Sequence, residues 1–93
     1  MDWKVKFEKK AKKELGSLDH KSQVKIYSYL KERIATNEDP KRFGKALRRD
    51  LSGLWRYRIG DYRVIVDIRD HELIVLVLRI GNRKNIYTGN TPL

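Results

Sequence analysis

The chain predicts an α+β fold in which an N-terminal strand and a helical hairpin precede an antiparallel sheet, in the order β-α-α-β-β-β. Three observations lead there. Trp3, Val5 and Phe7 alternate with Lys4 and Lys6. Apolar residues then recur at three- and four-residue intervals as far as Ala35. From Leu51 alternation returns in LSGLWRYRIGDYRVIVDI, followed by the nearly all-apolar run LIVLVLRI. A period of two marks a half-buried strand, and a period near 3.6 marks a helix with one apolar face.

Each element follows in order. Trp3, Val5 and Phe7 form the buried side of the first strand. From Glu8 the spacing of Phe7, Ala11, Leu15 and Leu18 predicts a helix with Lys9, Lys10, Lys12 and Lys13 outward and Gly16 as its terminator. Asp19 is placed to cap a second helix whose Val24, Tyr27, Leu30 and Ile34 would face inward. Pro40 disfavours helical geometry at Asp39 and ends that helix. A basic connector follows, with Lys41, Arg42, Lys45, Arg48 and Arg49 and no acid before Asp50; Phe43, Ala46 and Leu47 are expected to anchor it. Gly60-Asp61 reads as a two-residue hairpin turn between two strands. The run Leu73 to Ile80, apolar on both faces, reads as a central strand. Thr88 to Leu93 read as a polar tail.

With 93 residues, the chain reads as a single domain over 1–93, and function is expected on its surface. Twenty-two Lys and Arg against twelve Asp and Glu leave a formal charge of +10, which predicts salt-sensitive attraction to a polyanion. The absence of cysteine excludes disulfides and thiol chemistry. His20 and His71 alone offer no ligand spacing, so no metal and no small-molecule cofactor are expected. No signal-like N-terminus and no long apolar stretch is present, so a cytoplasmic protein without a membrane partner is expected.

The placement of the arginines is more specific than their number. Alternation sends Trp55, Tyr57 and Ile59 to the core and Arg56 and Arg58 to the opposite face. Beyond the turn, Tyr62, Val64, Val66 and Ile68 face the core and Arg63 joins the first two arginines, with Asp67 on the same side. The central strand would deliver Arg83, Lys84 and Tyr87 just past its end. Lys45, Arg48 and Arg49 on the connector extend the positive surface. Such a face suits a polyanion.

The hairpin LSGLWRYRIGDYRVI and the closing VLRIGNRKNIY resemble the RelE toxins, within the RelE/ParE superfamily of type II toxin-antitoxin systems, and the resemblance covers essentially the whole chain. It implies a RelE-like toxin domain that enters the ribosomal A site and cleaves messenger RNA there by attack of the 2′-hydroxyl, without metal. It also implies a cognate acidic, RelB-like antitoxin. Carried over by motif, Arg58, Arg63 and Arg83 would meet the charge of the transition state, and Tyr87 would stack on or orient the substrate. Arg56 would position phosphate, with Lys45, Arg48, Arg49 and Lys84 as further RNA contacts. The chain departs from the pattern at two points. The best-known RelE has lysines where Arg56 and Arg58 stand, and many relatives read Gly-His-Arg in place of Gly81-Asn82-Arg83. Arginine is a poor proton donor, so general acid and base stay unassigned. A ParE-like poison of DNA gyrase and a non-catalytic basic RNA-binding module are the alternatives.

Overall fold

The computed structural model describes residues 2–82. The first strand, β1 (Lys4–Phe7), leads into α1 (Lys9–Gly16) and α2 (His20–Tyr29), the latter continued by a π-helical turn at Leu30–Ile34. After a 3-10 turn at Pro40–Phe43 come β2 (Lys45–Ala46), a second 3-10 turn, β3 (Trp55–Ile59), β4 (Tyr62–Arg69) and β5 (Ile74–Asn82). The strands form one sheet in the order β1-β5-β4-β3-β2, with β1 parallel to β5 and the other pairings antiparallel. No helix among the described residues is long and apolar enough to cross a membrane.

The expected α+β order is present, with one strand added. The connector, expected as a loop, contributes β2, which pairs Lys45 with Arg56 and Ala46 with Trp55. It is held from below: the Tyr57 hydroxyl, buried in the core, donates to the Pro40 carbonyl at 2.8 Å. Burial also pushes the Tyr57 phenol well above its ordinary pKa, so it stays a donor. Tyr57→Phe strands a buried carbonyl. It should cost about 1 to 2 kcal/mol and lower Tm by roughly 4 °C or more, which a thermal melt reads directly. Phe43 and Ala46 are exposed rather than anchoring; Pro40 and Tyr57 fix the segment instead.

The helices lie on one face of the sheet. Ala11, Ile26, Leu30 and Ile34 pack with Tyr57, Ile59, Val64, Val66, Val75 and Val77. Asp19 caps α2 as expected, accepting from the Ser22 hydroxyl at 2.7 Å and the Ser22 amide at 3.2 Å, and these bonds lower its pKa. The inward stripe of α2 differs from expectation. Leu30 and Ile34 are buried as expected, but Val24 and Tyr27 are 48% and 55% exposed, and Ile26 is buried in their place. A strict four-residue spacing overshoots the 3.6-residue turn of an α-helix, and the wider π turn takes up that drift. The Ala35 amide donates to the Leu30 carbonyl at 2.8 Å, five residues back.

Two local features aim the strands. Gly60 has φ +60°, which a two-residue hairpin turn with glycine first requires, and Ile59 and Tyr62 pair directly across it. On β5 the register shifts: Ile65 faces Arg79 but Val66 faces Val77, so Leu78 is the extra residue of a bulge. Val75 and Val77 face the core before the bulge and Ile80 after it. The strand, expected over Leu73 to Ile80, runs from Ile74 to Asn82. Leu73 instead stands before it with φ +54°.

Where β1 ends, α1 takes over the flank of β5. The Glu8 amide donates to the Val77 carbonyl at 2.9 Å, and the Glu14 carboxylate accepts from the Ile80 amide at 2.9 Å and from Arg79 Nε at 3.0 Å. A strand edge left bare would offer unpaired backbone groups to other chains. Here an acidic side chain satisfies one of them.

Candidate functional site

On the face away from the helices, residues directly opposite one another on paired strands share a side, so the register composes the site. One cross-strand row reads Lys45, Arg56, Ile65, Arg79, and the next reads Arg58, Arg63, Gly81. Lys45, Arg56, Arg58 and Arg63, all singled out from the sequence, therefore stand together. Arg79 joins the row of Arg56 because the bulge at Leu78 reverses the alternation of β5; continued from Val77, it would have faced the core.

The four differ in what their charge can do. Arg58 is exposed and makes no ion pair among the described residues. Arg56 is half-buried, and its Nε is fully covered without a hydrogen-bond partner. A covered, unpaired N–H costs about 1 to 3 kcal/mol. Arg63 is only 7% exposed and donates to the Tyr62 carbonyl at 3.1 Å and the Gly60 carbonyl at 3.4 Å. Its guanidinium is fixed by the hairpin it belongs to, and Gly81 stands across from it on β5. Lys45 is exposed at the edge of the sheet.

Acids near this face are engaged elsewhere. Asp67 binds Arg69 at 3.1 Å and Glu14 binds Arg79 at 3.0 Å, so neither is paired with Arg56 or Arg58. The middle of the face is apolar: Ile65 is completely buried yet stands outside the core cluster on the helix side. Arg56 and Arg79 flank it across the strands, Arg63 and Asp67 along its own. This is an apolar centre with a rim in which Arg56 and Arg63 stand beside Asp67 and the Glu14-bound Arg79, rather than the continuous arginine floor that alternation alone suggests. Guanidinium groups keep their proton at neutral pH, so such a rim can hold and polarise a phosphate but is poorly suited to carry protons.

The remaining expected residues fall elsewhere. Arg48 and Arg49 are exposed beyond β2, with Arg49 in the left-handed region at φ +59°, and no strand register places them in either row. Arg83, Lys84 and Tyr87 lie outside the described residues. Trp55 and Tyr62 pack against the core, as alternation requires, and Lys41 Nζ lies 5.8 Å from the Trp55 ring centre. Sequence reasoning passed over a second basic group. Arg33 and Arg42 both lie over the Phe43 ring, at 5.7 and 4.5 Å from its centre, and Arg33 lies 5.1 Å from that of Tyr29. The interleaving of Tyr29, Arg33, Arg42 and Phe43 was the available signal.

Comparison with known proteins gives a consistent set of similarities. A family model described as "ParE toxin of type II toxin-antitoxin system, parDE" matches residues 5–87. Toxin RelG of Mycobacterium tuberculosis is 31% identical over 87 residues, covering 94% of this chain and 98% of that protein. Among solved structures, the toxin-antitoxin complex RelBE2 of Mycobacterium tuberculosis contains a chain that superposes with a TM-score of 0.81 at 28% identity, over 91% of this chain and 95% of that one. The archaeal RelE-RelB complex of Pyrococcus horikoshii gives a TM-score of 0.69 at 24% identity, over 91% of this chain and 99% of that one, and shows the shared fold.

Proposed function

Because this chain belongs to the RelE/ParE superfamily of type II toxin-antitoxin toxins, we propose that it is an endoribonuclease that cleaves messenger RNA in the ribosomal A site and so inhibits translation. The observation that carries this reading is the row of Arg58 and Arg63 beside Arg56, whose Nε is covered and unpartnered. The reaction is attack of a 2′-oxygen on the adjacent phosphorus. The P–O5′ bond breaks, the 5′-oxygen takes up a proton in balance with the one lost from the 2′-hydroxyl, and a 2′,3′-cyclic phosphate remains. Negative charge accumulates on the non-bridging oxygens as the phosphorane forms. Fixed guanidinium groups stabilise it more than the ground state. Arg58 and Arg63 take that charge, Arg56 positions the phosphate, and Lys45 lengthens the contact along the backbone. Arg83 and Tyr87, placed by motif, would complete the site, Tyr87 by stacking on a base, with Lys84, Arg48 and Arg49 on the approach. With no histidine or paired carboxylates on the described face, the ribosome's hold on the substrate supplies the geometry that a weak acid–base apparatus lacks.

The protein acts in the cytoplasm, where an acidic antitoxin holds it inactive; the two similar chains from Mycobacterium tuberculosis and Pyrococcus horikoshii come from complexes of toxin with antitoxin. A gyrase-directed activity is the second reading, favoured by the ParE description of the matching family model. One experiment separates them: primer extension on messenger RNA with and without translating ribosomes, run beside a gyrase supercoiling assay. Cleavage confined to ribosome-bound message is expected. Equal cutting of naked RNA, or inhibition of gyrase without cutting, would overturn the proposal.

A further inference from the structure

Between α2 and the tip of the β3–β4 hairpin lies an open hollow of about 370 Å³, lined by Lys25, Tyr29, Glu32, Arg33, Arg58 and Gly60 among others. Three cations meet one acid there. Two of the cations lie against uncharged groups. The Arg33 guanidinium lies over the Tyr29 and Phe43 rings, 5.1 and 5.7 Å from their centres. Lys25 lies across the hairpin tip so closely that a methyl group at Gly60 would stand 2.6 Å from its Nζ. Neither forms an ion pair among the described residues, whereas Arg42, on the far side of this cluster, is paired with Glu38 at 3.6 Å.

The hollow communicates with the sheet face. β2 pairs only with Trp55 and Arg56, so the Tyr57–Ile59 half of β3 has no strand beyond it, and Arg58 stands at the rim of the hollow as well as in the site. We propose that this hollow is a second phosphate-binding site for the RNA strand, gripping a backbone phosphate outside the step that is cleaved, with Phe43 as an adjoining base platform. That the polyanion is RNA rests on the ribonuclease reading. Phe43, 41% exposed beside a stacked guanidinium, favours it further over an acidic peptide. Nucleic acid uses both the charge and the aromatic surface; a run of carboxylates uses only the charge.

The test is equilibrium binding of fluorescein-labelled 2′-O-methyl RNA, which cannot be cut, as a trinucleotide and as a dodecamer. The antitoxin-free protein is compared with the Lys25→Gln/Arg33→Gln double variant, with a polyglutamate dodecapeptide as competitor and thermal melts to verify folding. The double variant should bind the dodecamer about tenfold or more weakly and the trinucleotide unchanged. Its logarithmic salt slope for the dodecamer should fall by about 0.7, the loss of one phosphate contact on a single strand. Unchanged dodecamer affinity would overturn the inference, as would an equal loss for both lengths. So would a variant that loses polyglutamate but keeps RNA, which would assign the hollow to an acidic protein. Loss of dodecamer binding in a protein that cuts no ribosomal message would keep the hollow and discard the nuclease; normal cutting with unaltered dodecamer binding would do the reverse.

Discussion

Arg58→Ala should lower single-turnover cleavage of ribosome-bound message by on the order of a hundredfold, the usual consequence of removing one donor from a developing oxyanion. Tm should stay nearly unchanged, because the side chain is exposed and makes no ion pair among the described residues. Arg63→Ala should cost a similar factor in rate and destabilise as well, since it removes the bonds that tie the guanidinium to the Tyr62 and Gly60 carbonyls. Arg63→Lys keeps the charge but not the fork, so it should recover only part of the rate. The contrast is diagnostic. Two variants that both cut at the wild-type rate would remove the row from the chemistry, and an Arg58→Ala protein that merely melts early would make Arg58 a structural residue.

The largest effect on stability is expected at Glu14, on the helix that flanks β5. Its carboxylate serves the Ile80 amide and the Arg79 guanidinium together, with side chains only 23% and 12% exposed. Glu14→Ala takes a carboxylate from a half-buried guanidinium and removes the acceptor of the Ile80 amide. The loss should be about 2 to 3 kcal/mol, below the range for fully buried pairs because water reaches part of the site. For a chain of this size that lowers Tm by roughly 10 °C or more. Glu14→Gln keeps an acceptor for the amide and should fall between the two. A Glu14→Ala protein melting within about 2 °C of wild type would show that water replaces the carboxylate without penalty. Since Arg79 shares its row with Arg56 and Ile65, the variant also tests whether the flank of β5 keeps the cationic face in register.

What the sequence by itself determined is what local rules govern. Strict alternation in WRYRI settled that Arg56 and Arg58 share the side opposite Tyr57, because successive side chains of a strand must point apart. Gly60-Asp61 set the hairpin, since glycine alone enters φ +60° without strain, and that turn placed Arg63 opposite Arg58. Asp19 marked the start of α2 through its own short hydrogen bonds. The tertiary structure decided whatever depends on a partner remote in the chain. Two apolar series overlap on α2, and only the sheet beneath it selects Ile26 over Val24 and Tyr27. The bulge at Leu78 brings Arg79 to the cationic face, although the apolar run Leu73 to Ile80 carries no sign of a reversed alternation. A two-residue β2 is too short to leave a period, yet the Tyr57 hydroxyl secures it and Lys45 gains its place. Burial divided the arginines in the same way. Alternation gives all three the same side, but neighbouring strands and hairpin carbonyls make Arg63 fixed and covered, leave Arg56 with an unpartnered Nε, and leave Arg58 free to meet solvent. A strand's sequence dictates which way its side chains point, whereas the packing around them dictates what each can still bind.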